Sequence, residues 1–379
     1  MLNSKKKKLC FVATVDLSVN AFLIGHLHGL AKSYDLTVVT NTSNINFLSD
    51  QGINAIVLPV KLSREINLFS DLFCLIKLIN IFINNRYSGV HSITPKAGLL
   101  AMLAAFFTLI PLRVHSFTGQ VWVSSSGLKR VVLKSIDKLL GKLTTHNLVD
   151  SQSQRNFLIE EGVLSKEKSL VFASGSIAGV DLLKFKANKE LRKSTRNDLA
   201  FPENSIVFIY LGRLVKDKGV LDLACAFSEI ESLKAYLLFV GPDEEGIAKR
   251  IKEICASKIN NLRMIGFTKD PKKYLAASDI LCLPSYREGF GSVIIEAAAM
   301  GIPAIASNIY GITDALIDNQ TGLLHETKDI AGIRSKLEHV LKDPLIVKKL
   351  AVSAKERAVK EFDSQLITGE WLKFYYQNL

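Results

Sequence analysis

Short apolar runs alternate along this chain with longer stretches whose apolar positions recur at three- and four-residue spacing. Continuous short runs bounded by turn residues predict buried strands, and the longer periodic stretches predict covering helices. Repetition of that alternation predicts parallel sheets with helices on their faces. In the first half the strands fall at 9–14, 35–40, 54–58, 89–91, 112–116 and 147–149. In the second they fall at 206–212, 235–241, 262–265, 280–284 and 303–306. Two such sets in 379 residues imply two doubly wound α/β domains with a cleft between them.

Between 169 and 196 the chain turns small, polar and basic, with Ser174-Gly175-Ser176 and Gly179-Val180-Asp181, so this stretch reads as a linker. The expected domains are 1–178 and 179–360. Leu366, Trp371, Phe374 and Tyr375 recur at helical spacing beyond the last strand pattern. They predict a terminal helix, 361–379, packing back on the first domain.

Charge and cysteine content narrow the class. Residues 1–180 carry nineteen Lys and Arg against ten Asp and Glu, so most of the net charge of +12 lies in the first half. Such a field attracts phosphorylated substrates or acidic lipid head groups. No nucleic-acid-reading module accompanies it, so nucleic acid is not an expected partner. The five cysteines are scattered without a Cys-x-x-Cys pair, which reads as buried thiols in a reducing compartment. Lys5 to Lys8 precede an apolar run that Asp16 ends, so a first strand is expected there rather than a leader. No run reaches the ~20 apolar residues that a spanning helix needs.

The chemistry concentrates in the second half. Ser285-Tyr286-Arg287-Glu288-Gly289-Phe290-Gly291 follows a strand and opens a helix that carries Glu296. In an open parallel sheet, ligands bind at that end of the strands. Glycines there let backbone N–H groups approach a phosphate, and the helix start adds roughly half a positive charge. Glu296 suits the paired hydroxyls of a ribose, and Glu288 the hydroxyls of a sugar. Leu211-Gly212-Arg213-Leu214-Val215-Lys216-Asp217-Lys218-Gly219 follows the first strand of the same domain. Arg213 and Lys218 together can neutralise a departing diphosphate in place of a divalent metal. A dehydrogenase lacks support because no Gly-x-Gly-x-x-Gly follows the first strand, and a P-loop kinase because its Gly-x4-Gly-Lys-Ser/Thr string is absent.

These two motifs, with Ala297-Ala298-Ala299-Met300-Gly301-Ile302-Pro303, Gly179-Val180-Asp181 and Thr321-Gly322-Leu323-Leu324, resemble the family 4 retaining glycosyltransferases over most of the second domain. That resemblance implies the GT-B fold: two facing doubly wound Rossmann-like domains across a deep cleft, the donor held by the second and the acceptor by the first. It implies a metal-independent hexosyl- or N-acetylhexosaminyl-transferase with no cofactor, whose donor is a nucleoside-diphosphate sugar, taken here as a UDP-sugar. Arg213 and Lys218 match the diphosphate pair, Glu288 the donor-sugar contact and Glu296 the ribose contact. Gly266 and Phe267 match the backbone that meets the base, and Gly289, Phe290 and Gly291 match the phosphate loop. A nucleotide-sugar epimerase of similar fold and an inactive nucleotide-sugar-binding partner subunit are the alternatives.

The first domain resembles the family less. Asp16-Leu17-Ser18-Val19-Asn20-Ala21 stands where many members carry a glycine pair. His115, before Phe117-Thr118-Gly119-Gln120, looks like the family's histidine facing the donor sugar. Thr94 and Lys96, in a loop where Pro95 suits the first helical turn, are expected to meet the acceptor, Lys96 through a phosphate. His26 and His28 lack carboxylate or cysteine companions, so no metal site is expected. Arg130, Lys134, Lys138 and Lys142 recur every four residues among apolar positions, which predicts a helix with a basic face for anionic lipid. With the resemblance, this implies an undecaprenyl-diphosphate-linked saccharide acceptor, a role in surface polysaccharide (O-antigen or capsule) biosynthesis in bacteria, and a cytoplasmic protein peripheral on the inner face of the cell membrane.

Overall fold

The computed structural model describes residues 6–63 and 67–379. Lys5, part of the basic start, lies outside the described residues. The chain forms two units, Met1–Gly179 with Ser364–Leu379, and Val180–Asp363.

Among its described residues the first unit holds seven strands: β1 Lys8–Val15, β2 Asp35–Asn41, β3 Ala55–Pro59, β4 Gly89–Ile93, β5 Leu112–Phe117, β6 His146–Val149 and β7 Ser169–Leu170. Their order in the sheet is β3-β2-β1-β4-β5-β6-β7, and every ladder is parallel. The second unit holds β8 Ile206–Leu211, β9 Ala235–Val240, β10 Leu262–Ile265, β11 Ile280–Leu283, β12 Ala304–Ser307 and β13 Gly322–His325. Their order is β10-β9-β8-β11-β12-β13, again all parallel. Central strands such as β1 and β8 are buried nearly throughout, which is why they read as unbroken apolar runs. In both sheets the chain winds outward first on one side and then on the other. The reversal leaves a crevice at the carboxyl ends of β1 and β4, and of β8 and β11.

The segment expected to be a linker is more structured than its composition implies. Ser169–Leu170 adds an edge strand to the first sheet. Lys189–Asp198 forms a helix capped by the Asn188 side chain on Leu191 N–H at 2.9 Å. Arg192 and Arg196 of that helix bind Asp279 at 2.6 and 3.3 Å, and Asp279 also accepts the Val207 N–H at 2.8 Å. Long-range ion pairing, invisible to local composition, ties this helix to the entry of β8.

The terminal helix Ser364–Asn378 belongs to the first unit. Trp371 and Tyr375 are fully enclosed. Trp371 is stacked between His26 and His91, at ring distances of 4.4 and 4.7 Å. His26 joins Thr368 Oγ1 at 2.9 Å and the Ile177 carbonyl at 2.7 Å, while His91 joins the Tyr375 hydroxyl at 2.6 Å. Leu366, one of the four bulky positions expected to pack, is 44% exposed instead.

Among the described residues one helix, Leu68–Asn85, is long and apolar enough to cross a membrane. The sequence reading passed over it because Asp71 and Lys77 interrupt the run.

Candidate active site

Two loops of the second unit meet at its switch point because β8 and β11 are neighbours in the sheet. Gly219, at φ +64, lies so close to the Pro284 carbonyl that a Cβ there would overlap it. No other residue type fits this approach with that backbone. Around it, Tyr286 N–H donates to the Asp217 carbonyl at 2.9 Å and Arg287 Nε to Asp217 Oδ2 at 3.1 Å. The Tyr286 hydroxyl donates to Asp222 Oδ2 at 2.7 Å. The Arg213–Lys218 loop and the Glu288 loop are therefore one braced assembly.

Within it, the Lys218 ammonium donates to Glu288 Oε1, and the buried Ser285 hydroxyl donates to the same oxygen at 2.8 Å. Arg213 takes a different partner, Glu244, at 2.8 Å, in a pair that is 45% and 40% exposed. An exposed pair of this kind is held by less than about 1 kcal/mol, so a diphosphate can draw the guanidinium away. The Tyr210 hydroxyl pins the Arg213 carbonyl at 2.7 Å, and burial raises that phenol above its ordinary range.

The Ser292–Ala299 helix starts behind these loops at Gly291, φ +74, and no side chain caps it. Its first N–H groups are thus left for a ligand or water. Phe290 is buried against Phe362, with ring centroids 5.3 Å apart, so only its backbone is available to a phosphate. Gly311 crowds the Gly289 carbonyl from the other side, where a Cβ would not fit. Gly266 has open space around it and Phe267 is 63% exposed at the end of β10.

Glu296 lies half-buried on the second turn of the same helix. Loss of hydration raises its carboxyl to about 7, opposed by the positive charge of Lys184. Among the described residues no side chain or backbone group donates a hydrogen bond to it. A half-buried carboxylate without protein donors is suited to a pair of ligand hydroxyls. Lys184 was missed by the sequence reading; its place just after Val180-Asp181 is the signal that pointed toward it.

The first unit's candidates divide. The Thr94 hydroxyl contacts Thr14 Oγ1 at 2.6 Å, and Thr94 adopts φ +81 at the end of β4, beside the switch point. That strained conformation in a β-branched residue sits where function tolerates strain. Lys96 is bound to Asp71 at 2.7 Å and to Ser63 Oγ at 3.2 Å. His115 departs from expectation. It lies inside β5 rather than at its end, is 2% exposed, and meets Ser92 Oγ at 2.8 Å and the Phe117 ring. Burial drives its imidazole down to about 3, and Gly98 packs on it so closely that a Cβ would strike the ring. A neutral, enclosed imidazole does not face a sugar; the residues that reach the carboxyl edge of β5 are Phe117 to Gly119. Among the described residues no group of three or more His, Cys, Asp or Glu is placed to hold a metal ion.

Residues 192–361 match the model of the glycosyl transferases group 1 family. Over 376 residues the chain is 30% identical to the capsular polysaccharide biosynthesis glycosyltransferase CapM of Staphylococcus aureus, covering 98% of this chain and 97% of that protein. The chain belongs to the group 1 glycosyl transferases. It is also 28% identical, over 83% of its length and 82% of the relative's, to an Escherichia coli UDP-Gal:α-D-GlcNAc-diphosphoundecaprenol α-1,3-galactosyltransferase. Anabaena HepE, solved with UDP-glucose, shares the GT-B fold at a TM-score of 0.81 and 18% identity, over 98% of this chain and 99% of that one. As a glycosyltransferase, the protein has the braced Arg213–Lys218 and Glu288 loops, the glycine loop and half-buried Glu296 at the edge where this fold binds ligands.

Proposed function

We propose that this glycosyltransferase moves a sugar from a UDP-sugar to an undecaprenyl-diphosphate-linked saccharide, with retention at the anomeric carbon, in the assembly of a bacterial surface polysaccharide. The observation that carries the reading is the Lys218–Glu288 pair beside Arg213 and the uncapped helix start at Gly291. In this reading the ribose hydroxyls donate to Glu296 and the diphosphate lies on the Gly289–Gly291 backbone. Arg213 and Lys218 supply the positive charge that a metal supplies elsewhere. Glu288, released from Lys218, takes hydroxyls of the donor sugar.

The acceptor hydroxyl oxygen bonds to the anomeric carbon on the face from which the diphosphate oxygen leaves. The hydroxyl proton passes to that departing phosphate oxygen, so atoms and charge balance without a protein nucleophile. The capsular CapM relative and the relative acting on a diphosphoundecaprenol-linked sugar support the acceptor class. An acceptor of that class implies work at the inner face of the cell membrane, which the excess positive charge of residues 1–180 favours. Purified protein should be screened against nucleoside-diphosphate sugars, with free nucleoside diphosphate measured with and without membrane-extracted lipid-linked acceptor. Acceptor-dependent release from one donor is expected; a donor isomerised without acceptor, or no release from any, would overturn the reading.

A further inference from the structure

We infer that the outer face of the Leu68–Asn85 helix beds into the lipid of an anionic membrane leaflet and holds the Thr94–Lys96 loop at head-group level. On this helix Leu68, Phe69, Leu72, Phe73 and Ile76 are 80, 90, 57, 70 and 50% exposed, and their spacing puts them on one face. The opposite face, Cys74, Leu78 and Phe82, is in the core of the first unit. The helix is therefore apolar on both sides, and its inner side is already occupied, so it lies on a bilayer rather than crossing one. Exposed apolar surface on this scale marks an interaction site.

The parallel topology extends the patch. Helices Leu68–Asn85 and Gly127–Leu143 both start at the carboxyl edge of the first sheet, with helix Pro95–Phe107 packed between them. Val121, Leu128, Val131 and Val132 are exposed at that same edge. Away from it the outer faces of those two helices turn polar: Asn80, Asn84 and Arg86 on one, Ser135, Lys138 and Lys142 on the other, Ile83 and Leu139 excepted, while the middle helix ends in exposed Phe106 and Phe107, followed by exposed Leu109. The gradient from apolar to polar along Leu68–Asn85 and Gly127–Leu143 is the profile of two helices dipping their starts into a membrane.

Charge favours lipid over a protein partner. The two helices carry one acidic residue each, and both are spoken for: Asp71 binds Lys96 at 2.7 Å, and Asp137 is buried, accepting the Trp122 Nε1–H at 2.8 Å. Exposed Lys61 and Lys129 flank the apolar positions. The basic stripe expected on Gly127–Leu143 is only half available. Arg130 and Lys134 lie over the Trp122 ring, at 5.2 and 5.6 Å, and pair with Glu161. The apolar face of Leu68–Asn85, not that stripe, leads the contact. Because Asp71 of this helix binds Lys96, an acceptor whose diphosphate sits at the lipid surface meets the acceptor loop without leaving the membrane.

This inference deepens the proposed lipid-linked acceptor and rests on it for its purpose, while its test is independent of turnover. Full-length protein is floated with phosphatidylethanolamine vesicles containing phosphatidylglycerol. The wild type should float, and Phe69→Ser with Phe73→Ser should lower binding roughly tenfold or more, with melting temperature and UDP binding unchanged. In a second arm, Phe73→Trp should be quenched by brominated lipid, Trp122 and Trp371 being buried. Undiminished flotation of the double variant, an unquenched tryptophan at 73, or loss of a sedimenting dimer instead of vesicle binding would each overturn it. Flotation that behaves as expected in a protein that transfers no sugar would keep this face and remove the proposed function.

Discussion

Lys218 and Glu288 are each other's partner: the ammonium proposed for the diphosphate rests on the carboxylate proposed for the donor sugar, at the oxygen that also takes the Ser285 hydroxyl. The two are held apart from bulk water, so each would leave the other uncompensated on removal. Lys218→Ala should lower kcat/KM by roughly 10²- to 10³-fold, and Glu288→Gln by a comparable amount. In the proposed binding mode the donor breaks their pair, so the double variant should lose much less than the product of the two single losses. Steady-state kinetics on the four proteins checks this; multiplicative losses would show two independent residues.

In the proposed binding mode, Glu296 should make nucleotide binding depend on pH. Its carboxyl, raised to about 7 by lost hydration, is largely protonated below neutrality in the empty site. Ribose hydroxyls donate to the charged form, so UDP affinity should rise with pH from 6 to 8, by up to about tenfold per unit below 7. Calorimetry in buffers of different ionisation heat should show proton release on binding at pH 6, and Glu296→Gln should reduce both effects to the part that comes from UDP's own terminal phosphate.

Two glycines with the same backbone sign should differ in cost. Gly219, at φ +64, is pressed on the Pro284 carbonyl, while Gly246, at φ +68, has nothing near a would-be Cβ. Gly246→Ala should cost only the conformational penalty, about 1 kcal/mol. Gly219→Ala must also push apart the two braced loops, so it should cost on the order of 3 kcal/mol and weaken UDP binding. Chemical denaturation and UDP titration of both variants measure the difference.

The first unit should unfold in acid through its enclosed histidines. Burial lowers His26 to about 4 and His115 to about 3, and lowers His91 well below its ordinary value. Unfolded histidines titrate near 6.5, so the unfolded chain takes up protons first, and stability is lost as pH falls from about 6.5 toward 4. His26 alone accounts for on the order of 3 kcal/mol across that window. His26→Gln should flatten this part of the stability profile, followed by denaturation at successive pH values.

The strands were legible wherever burial on both faces makes a strand a continuous apolar run, as in Ile206–Leu211. β7, two residues long, has no such signature, and β13, Gly322–His325, showed only as a family pattern around Gly322. The place of Arg213, Lys218, Glu288 and Glu296 by the carboxyl ends of β8 and β11 was legible because glycines and strand ends fix it along the chain. Their pairings were not, since Glu244 reaches Arg213 from 31 positions away. His115 misled because a histidine near a strand end reads alike whether it points to solvent or under a helix. What decides it is Gly98, whose lack of a side chain leaves room for the ring.

The helix Ser364–Asn378 seals the first unit, yet the ribosome makes it only after all of Val180–Asp363. During synthesis His26 and His91 therefore wait without Trp371 between them, and the earliest-made unit is the last to be completed. Nascent chains released short of residue 364 would carry a finished second unit and an open first one, a natural substrate for quality control.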